Sequence, residues 1–413
     1  MCDTVYLRRD GASYFGKNSD RSPNEAHIMV RCPARDYPAG SVLKTTYVTI
    51  PQAAHTNACV LLKPHWIWGA EMGWNEYGVH IGNEALFTNV KREKTDGLIG
   101  MDLLRLALER TDNALAAAEL IISLIAEYGQ DGNCAFDKKF FYHNSFLIAD
   151  PERAFVLETA GRQWVLAEAG DLCTISNCIS VTTDYIRASE GVAGDFKKRF
   201  ENKLFTAVAG AENRRRLTAE TLARNGEPIS LVCSALRRHS ADDVTVNRSS
   251  TASPCMHAGN MFGDQTTGSY AAEIGKVSFV TGSSFPCLSV FKPLSVKAEV
   301  LPEDEKEALA YWVRREIVNR HIMSGAKFAV DYLYAGRQLE NKYVSAALDA
   351  NTQEEIEALS AKCFAEEEAL VSDFLSRVKG KPLRINGGMY FRSFWKKKNK
   401  AFAECYDVSE YLE

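Results

Sequence analysis

The pattern of apolar and polar residues at the start of the chain predicts a β-hairpin. Val5 and Leu7 precede the dipeptide Asp10-Gly11, and Tyr14 and Phe15 follow it. Asp-Gly between two strand-like runs is the strongest short-range hairpin signal, because both residues tolerate the positive φ angles of the tight turn. Two short antiparallel strands are therefore expected, with Cys2 just before the first of them.

Strand-like and helix-like patterns then follow one another in blocks. Runs rich in β-branched and apolar residues predict strands at 45–50, 58–62, 66–72, 78–81, 145–149, 154–158, 163–166 and 172–176, with one or two more within 277–291. Helical spacing of apolar residues predicts two helices within 98–128, further helix within 195–240, and long helices at 303–321, 326–348 and 352–379. Thr111 or Asp112 is the expected N-cap of the second helix, and Gly129 its end. This order lacks the strict alternation of a doubly wound parallel sheet, so we predict an α+β fold of antiparallel sheets covered by helices.

Composition and charge narrow the class of protein. The 413 residues are 46% hydrophobic and 25% charged, which is ordinary for a globular enzyme, and the length suits two or three domains or one large core with an appendage. The net charge of −4 favours neither a nucleic-acid nor a membrane partner. The chain has no apolar run near the roughly 18 residues that span a bilayer, and it starts with polar residues, so a cytoplasmic location is expected.

The eleven cysteines are spaced irregularly, and no CxxC motif occurs. In an intracellular chain they are expected to be reduced thiols, mostly buried as small apolar residues. A zinc site built from Cys173 and Cys178, or from Cys255 with His257, is the less favoured interpretation, because structural zinc ligands usually come in close pairs. The sequence therefore implies no metal and no organic cofactor.

Cys2 directly follows the initiator Met1, and its position suggests a chemical role. A small second residue permits removal of Met1, which would leave a chain that begins with a thiol and a free α-amine. The thiol, with a pKa of about 8.5, is a strong nucleophile once deprotonated, and the amine, with a pKa of about 7.7–8.0, can accept its proton near neutrality. Taken alone, Cys2 would more simply be an ordinary residue near a terminus.

A wider set of motifs favours the chemical role. These motifs are Cys2-Asp3-Thr4, Phe15 to Arg21, Pro23 to Ala26, Trp66 to Gly73, Asn75 to Val79, Gly82 to Ala85, Leu98 to Leu103, Glu109-Arg110, Ala154 to Thr159, Asn247 to Ser250, Pro254 to His257, Thr281-Gly282 and Phe291 to Pro293. Over roughly residues 1–293 the chain resembles the secernins and related bacterial cysteine dipeptidases. These belong to the N-terminal-nucleophile hydrolases, which also include the penicillin V and bile-salt acylases. The resemblance implies a four-layer αββα sandwich at 1–300, and the helical pattern from Pro302 onward predicts a helical C-terminal region at 301–413 packed on it.

The resemblance also implies a set of site residues. Cys2 would be the nucleophile, and the Asp20 carboxylate would orient its amine as the third member of a triad orients its base. Asn83 and Asn177 match positions that serve the oxyanion hole or substrate binding in the acylases, and their amides suit the stabilisation of an oxyanion. For Asp20, Asn83 and Asn177, the alternative is that each residue forms a turn at the end of a strand.

The sequence offers more than one candidate for a cation near the Cys2 thiol. Lys17 stands where the acylases have an arginine, and a cation there would lower the thiol pKa. Because lysine lacks the planar fork of arginine, Arg21 is a possible substitute. Arg248 is a weaker match to a later active-site arginine. The runs Arg214-Arg215-Arg216 and Lys396-Lys397-Lys398 are interpreted as solvent-exposed faces.

The sequence thus predicts a cysteine-type dipeptidase that acts on small peptides. Neither a nucleic-acid nor a membrane partner is expected, and the sequence leaves open whether the protein forms a homo-oligomer. One alternative is an N-acyl amide hydrolase resembling the penicillin V and bile-salt acylases. Another is a papain-like Cys–His enzyme using His143 or His257, although neither lies in a local signature with a cysteine. A third is a secernin-like, secretion-related binding protein with little activity. The combined presence of Cys2, Asp20 and Asn177 favours an enzyme.

Overall fold

A computed structural model describes residues 1–240, 251–259 and 263–412. The strands in chain order are β1 (Cys2–Arg9), β2 (Ala12–Arg21), β3 (His27–Cys32), β4 (Arg35–Asp36), β5 (Val42–Lys44), β6 (Thr49–Pro51), β7 (His55–Thr56), β8 (Cys59–Pro64), β9 (Met72–Asn75), β10 (His80–Leu86), β11 (His143–Ala149), β12 (Ala154–Ala160), β13 (Gln163–Glu168), β14 (Leu172–Ile175), β15 (Arg187–Ala188), β16 (Gln265–Glu273), β17 (Val277–Val280) and β18 (Lys292–Leu294). The helices are α1 (Gly100–Arg110), α2 (Ala114–Tyr128), α3 (Phe196–Phe200), α4 (Lys203–Val208), α5 (Ala211–Leu222), α6 (Pro228–Leu236), α7 (Glu305–Met323), α8 (Ala329–Asp349), α9 (Gln353–Val378), α10 (Met389–Tyr406) and α11 (Ser409–Leu412). Among these helices, none is both long enough and apolar enough to cross a membrane.

The N-terminal hairpin forms as predicted. Strands β1 and β2 pair antiparallel, with Cys2 opposite Ser19 and Arg9 opposite Ala12. Asp10 has a φ of 53° and Gly11 a φ of 80°, the left-handed angles that a two-residue type I′ turn requires. The tight turn fixes the register, so Cys2 is held beside the far end of β2.

Two large sheets, antiparallel throughout, carry most of the strands of the described chain. One has six strands in the order β14-β1-β2-β16-β17-β18, and the other has eight in the order β15-β13-β12-β11-β10-β9-β8-β3. The hairpin is central in the smaller sheet, because β14 lies on one side of it and β16 on the other.

The two sheets face each other across an apolar core. Tyr6 and Tyr270 of the six-stranded sheet share this core with Trp74 and Leu147 of the eight-stranded sheet. The rings of Trp74 and Tyr270 stack with centroids 5.6 Å apart. Face-to-face packing of this kind buries the inner side chains of both sheets and leaves the outer faces to be covered by helices.

Helices cover both outer faces. Helices α1 and α2 pack on β9 to β12 of the larger sheet, and α5 and α6 pack on β1, β2, β14 and β16 of the smaller one. Val5 and Leu7 of β1, for example, share a core with Val232 and Leu236 of α6. The layers are therefore helix, sheet, sheet and helix, and the predicted four-layer α+β architecture is confirmed.

The C-terminal helices pack against the edges of this body. Helix α7 contacts β3, and α8 and α9 contact β18 and each other. On α7, the buried Trp312 donates from Nε1 to the carbonyl of Thr267 (2.9 Å), and the buried Arg320 donates to the carbonyl of Pro23 (2.9 Å). The division of the chain into two domains, 1–300 and 301–413, stays a prediction.

Several local predictions were wrong. The N-cap of α2 is Asn113, whose side chain accepts from the amide of Ala116 (2.9 Å), rather than Thr111 or Asp112. The run 45–50 is interrupted by a turn in which Thr45 donates to the carbonyl of Val48.

The strand predicted at 66–72 begins only at its last residue, Met72. The segment before it turns under the start of α1, where a Cβ on Gly69 would lie 2.3–2.4 Å from backbone atoms of Met101 and Asp102. Such a close approach explains why the chain bends there and why a glycine is required.

Candidate active site

Cys2 lies in a cleft at the end of the six-stranded sheet. Its side chain is 4% exposed, and it lines a narrow cavity together with Asp20, Glu71 and Asp264. Cys2 is placed there by β1, and Asp20 by β2, because the hairpin register brings the start of one strand beside the end of the other. The structure thus brings together two of the residues predicted from the sequence.

The environment of the Cys2 thiol opposes its ionisation. Burial raises the pKa of this thiol to about 11, and the carboxylates of Glu71 and Asp20 act in the same direction, whereas the Lys17 ammonium lowers it. Since only the thiolate is a strong nucleophile, a thiol in this environment needs a base to remove its proton at neutral pH.

Lys17 is the strongest positive influence on the sulfur, but it does not bind it directly. Its ammonium is fully buried and donates to Glu84 Oε1 at 3.1 Å, and the hydroxyl of Thr4 donates to the same carboxylate. In the described chain no hydrogen bond joins Lys17 Nζ to Cys2. The predicted role of a cation near the thiol is therefore electrostatic in this geometry.

Asp20 has one carboxylate oxygen engaged and one without a partner. Thr266 of β16 donates from its hydroxyl to Oδ1 at 2.6 Å, while Oδ2 is buried and has no hydrogen-bond partner among the described residues. Burial raises the pKa of this carboxyl to about 7, although the terminal ammonium and Arg214 lower it. A buried oxygen without a hydrogen bond costs free energy, so we expect a donor to bind to Oδ2.

Met1 extends β1 by one residue and occupies part of the cleft. Its ammonium donates to the carbonyl of Asp20 (2.7 Å) and lies 3.8 Å from Asp264 Oδ2. Its own carbonyl accepts from the amide of Asp20 (2.7 Å). The backbone amide of Cys2, which would become the α-amine after removal of Met1, donates to Asn177 Oδ1 at 2.8 Å.

Asn177 is held rigidly beside the backbone of Cys2. Its Oδ1 accepts from Cys2 and from Arg214 Nη2 (2.6 Å), and its Nδ2 donates to the carbonyl of Ala85 (3.0 Å). The side-chain amide therefore has one N–H left for another acceptor. Asn177 follows β14, and the predicted proximity to Cys2 is present.

Arg214 is a site residue that the sequence interpretation missed. It was expected on a solvated face with Arg215 and Arg216, but its side chain is fully buried, so that prediction is wrong for Arg214. Its guanidinium pairs with Asp3 (Nε to Oδ2, 3.0 Å) and donates to Ser176 Oγ (2.9 Å) and Asn177 Oδ1. Arg214 thus fixes the side chains around the Cys2 backbone from the α5 side.

The burial of Arg214 gives a stability prediction. Arg214→Ala leaves the Asp3 carboxylate buried without its partner, so we expect a loss of about 3–5 kcal/mol in the free energy of unfolding. Arg216→Ala, from the same basic run but with a side chain that is 57% exposed, should change it by less than about 0.5 kcal/mol. Urea denaturation of both variants measures the difference, and equal midpoints would contradict the assigned geometry.

Asn83 is hydrogen-bonded to a neighbouring strand of the larger sheet. It is buried in β10, and its Nδ2 donates to Asn144 Oδ1 at 3.0 Å. Its Oδ1 has no partner among the described residues. Asn83 neither bonds to Cys2 nor lines the cleft in the described part of the chain, so its role in an oxyanion hole stays a prediction.

Arg21 lines the cleft and organises its acidic side. It donates to Glu25 Oε1 (3.0 Å from Nε), to Glu71 Oε1 (3.0 Å) and to the carbonyl of Cys134 (2.7 Å). These contacts keep Glu71 ionised, and its pKa is lowered to about 2 although burial alone would raise it. Arg21 thus holds the cleft wall, and its guanidinium is committed to these acceptors rather than to the sulfur.

The two histidines considered for a papain-like site make no hydrogen bond to Cys2, and His143 lines the cavity that adjoins the cleft. His143 Nδ1 is 2.7 Å from Thr88 Oγ1, and His257 Nε2 is within 3.6 Å of Cys255 and Cys287. None of the eight histidines, all of which the structure describes, hydrogen-bonds to Cys2. Arg248, and the motif 247–250 that contains it, lie outside the described residues.

A second, larger cavity adjoins the cleft and contains several aromatic side chains. Phe87, Phe140 and Tyr142 line both cavities, and Phe141 and Phe205 line only the second. Charged side chains at the mouth of the first cavity include Lys138, which is 3.3 Å from Asp264 Oδ1. The cleft thus combines an apolar side with a charged rim.

Comparison with solved structures finds proteins that align with much of the chain at low sequence identity and low TM-score. No protein-family model matches the chain. A mutant conjugated bile acid hydrolase from Clostridium perfringens shares 10% identity with it, covering 68% of this chain and 88% of that one, with a TM-score of 0.41. Penicillin V acylase from Agrobacterium tumefaciens shares 10% identity, covering 73% and 89%, with a TM-score of 0.41. An N-acylethanolamine-hydrolyzing acid amidase ortholog from Caenorhabditis elegans shares 10%, covering 66% and 92%, with a TM-score of 0.37.

Proposed function

We propose that the protein is a cysteine-type amide hydrolase of the N-terminal-nucleophile kind and that its substrates are dipeptides. The observation that carries the proposal is the surroundings of Cys2: a buried thiol, a neighbouring carboxylate with a free oxygen, and a main-chain nitrogen that becomes an amine once Met1 is removed. The resemblance to the secernins and related dipeptidases supports the same reaction.

In the proposed reaction the nucleophile and the base belong to one residue. The α-amine of Cys2 takes the thiol proton, the sulfur attacks the peptide carbonyl, and the amine then protonates the leaving nitrogen as the C–N bond breaks. Water hydrolyses the resulting thioester by the same proton route in reverse. The free Oδ2 of Asp20 accepts a hydrogen bond from the amine and keeps its lone pair directed at the sulfur.

The developing oxyanion needs donors already in place. The remaining N–H of Asn177 is one candidate, since Arg214 and Cys2 already fix its carbonyl end. Preorganised donors of this kind typically contribute about 2.7–4 kcal/mol each to stabilisation of the transition state. Asn83 is the second donor implied by the resemblance, and its use requires that it turn from Asn144 toward the cleft.

The position of the Met1 ammonium supports a dipeptide as the substrate. In the unprocessed chain this ammonium lies between the carbonyl of Asp20 and the carboxylate of Asp264. Once Met1 is gone, the same two acceptors suit the free amino group of a peptide, which N-acyl amides lack. The aromatic side of the cleft suits an apolar side chain next to the scissile bond.

A substrate panel tests this assignment. The processed protein should hydrolyse dipeptides with an apolar first residue faster than the same dipeptides N-acetylated, and faster than penicillin V. Asp264→Asn should raise KM for free dipeptides by about 10-fold or more, since it removes one charge from the ammonium site, and should leave N-acetylated substrates little changed.

The outcomes of the panel separate the alternatives. Preference for the acylated compounds would replace the dipeptidase with an N-acyl amide hydrolase. No turnover of any amide by a chain with a verified Cys2 terminus would favour a binding protein instead.

A further inference from the structure

Four potential metal ligands meet near the start of β16, outside the cleft. His239 follows the end of α6, Cys255 and His257 flank Met256, and Cys287 lies in the segment between β17 and β18. Their ligand atoms all lie within 4.8 Å of one another. Cys255 and His257 are buried, and the other two are half-buried, so the cluster is largely shielded from water.

Three of the six distances between ligand atoms in the cluster are close to those of a tetrahedral site. His239 Nε2 and His257 Nε2 are 3.3 Å apart, and His257 Nε2 lies 3.6 Å from Cys255 Sγ and 3.3 Å from Cys287 Sγ. Tetrahedral zinc with bonds of about 2.3 Å to sulfur and about 2.0–2.1 Å to nitrogen places its nitrogen ligands about 3.3 Å apart and nitrogen and sulfur about 3.6 Å apart.

Hydrogen bonding alone does not account for this arrangement. The Nε2 of a neutral imidazole carries either one proton or one lone pair in the ring plane, so it makes one well-directed hydrogen bond. His257 Nε2 nevertheless has three polar neighbours at 3.3–3.6 Å. A cation at the centre would accept the lone pairs of all four ligand atoms together. The His257 ring also stacks on Phe285, with centroids 4.6 Å apart, which fixes its plane.

We propose that His239, Cys255, His257 and Cys287 bind a zinc ion in a closed, structural Cys2His2 site. Two thiolates and two imidazoles form a donor set typical of structural zinc, and four protein ligands leave no open position for a substrate or a catalytic water. None of the four residues lines the cleft that contains Cys2. The metal would therefore take no direct part in the proposed hydrolysis.

The zinc site would hold one wall of the active site in place. Met256, between two of the ligands, exchanges hydrogen bonds with Thr266: its amide donates to Thr266 Oγ1 (2.9 Å), and its carbonyl accepts from the amide of Thr266 (3.0 Å). Thr266 in turn donates to Asp20. The adjacent carbonyl of Pro254 accepts from the Asn18 side chain (2.8 Å). Bound zinc thus stabilises the segment that supports Asp20.

Metal analysis of the purified chain tests the proposal. The protein, expressed with zinc in the medium and purified without chelators, should contain about one zinc ion per chain by elemental mass spectrometry. Cys255→Ser and Cys287→Ser should each lose the metal, whereas the matched control Cys233→Ser, which replaces a buried cysteine on α6, should keep it. Cobalt bound in place of zinc should show the absorption bands of a tetrahedral site with thiolate ligands.

A measurement on the wild-type chain tests the proposal even if the ligand variants fail to fold. Titration with an organomercurial in the presence of a zinc indicator should release about one equivalent of zinc as the thiols react. A protein that contains no zinc, zinc that persists in both ligand variants, or a disulfide between Cys255 and Cys287 in place of the metal would overturn the proposal.

Discussion

Cys2→Ala is expected to abolish hydrolysis and leave the fold intact. The substitution removes the only atom that would attack the carbonyl, and removal of the nucleophile in other acyl-transfer enzymes costs on the order of 10⁶ in kcat. The side chain is small and buried at the end of β1, so the loss of its sulfur should cost only about 1 kcal/mol of stability. Cys2→Ser should retain traces of activity, because a hydroxyl is a poorer nucleophile than a thiol at neutral pH.

Dipeptide turnover and thermal unfolding, measured on the same samples, check this expectation. The matched control is Cys363→Ala, which removes a buried sulfur on α9, remote from the cleft, and should keep full activity. Full activity in Cys2→Ala would eliminate Cys2 as the nucleophile and leave the site to be found elsewhere.

Local signals made the centre of the fold predictable. The hairpin followed from Asp10-Gly11, because a tight turn fixes strand register, and this register alone brings Cys2 close to Asp20. The two helices within 98–128 followed from apolar spacing along a single surface. Such patterns act over a few residues and need no knowledge of the rest of the chain.

Arg214 was missed because three consecutive arginines look alike in sequence. Three consecutive residues of a helix do not all face the same side, and the buried positions of α5 are Ala211, Arg214, Leu217, Thr218, Thr221 and Leu222. Their spacing of three or four residues was the signal that could have separated Arg214 from Arg215 and Arg216. The partner that makes burial tolerable, Asp3, is distant in the chain and could not be inferred from it.

Strand β16 and the Cys–His cluster were missed for a related reason. Strand β16 lies between β2 and β17 with eight of its nine residues buried, and its small residues, among them Gly268 and Ser269, lack the alternation that marks a strand. The cluster draws His239 and Cys287 to Cys255 and His257 through the tertiary fold. Only Cys255-Met256-His257 is visible as a local motif.

The free α-amine of Cys2 is the part of the proposed mechanism that can be tested most directly. With Met1 in place, the nitrogen of Cys2 is an amide, which cannot accept a proton near neutrality, and Met1 fills the position proposed for the substrate's amino group. Retention of Met1 should therefore remove the base and obstruct the cleft at once. General-base catalysis contributes on the order of 10² to 10⁴ in rate, so the deficit should be at least that large.

The most direct measurement compares two chains that differ only at this bond. One carries a residue before Cys2 that cannot be removed; the other is released by a protease that cuts immediately before Cys2, and intact mass confirms both termini. The thiol is present in both chains, so a difference in rate reports on the terminal amine and on the space that the extra residue occupies, not on the sulfur. We predict dipeptide hydrolysis by the processed chain and a loss of at least about 10²-fold in the blocked one. Equal activity in the two chains would contradict the N-terminal-nucleophile mechanism.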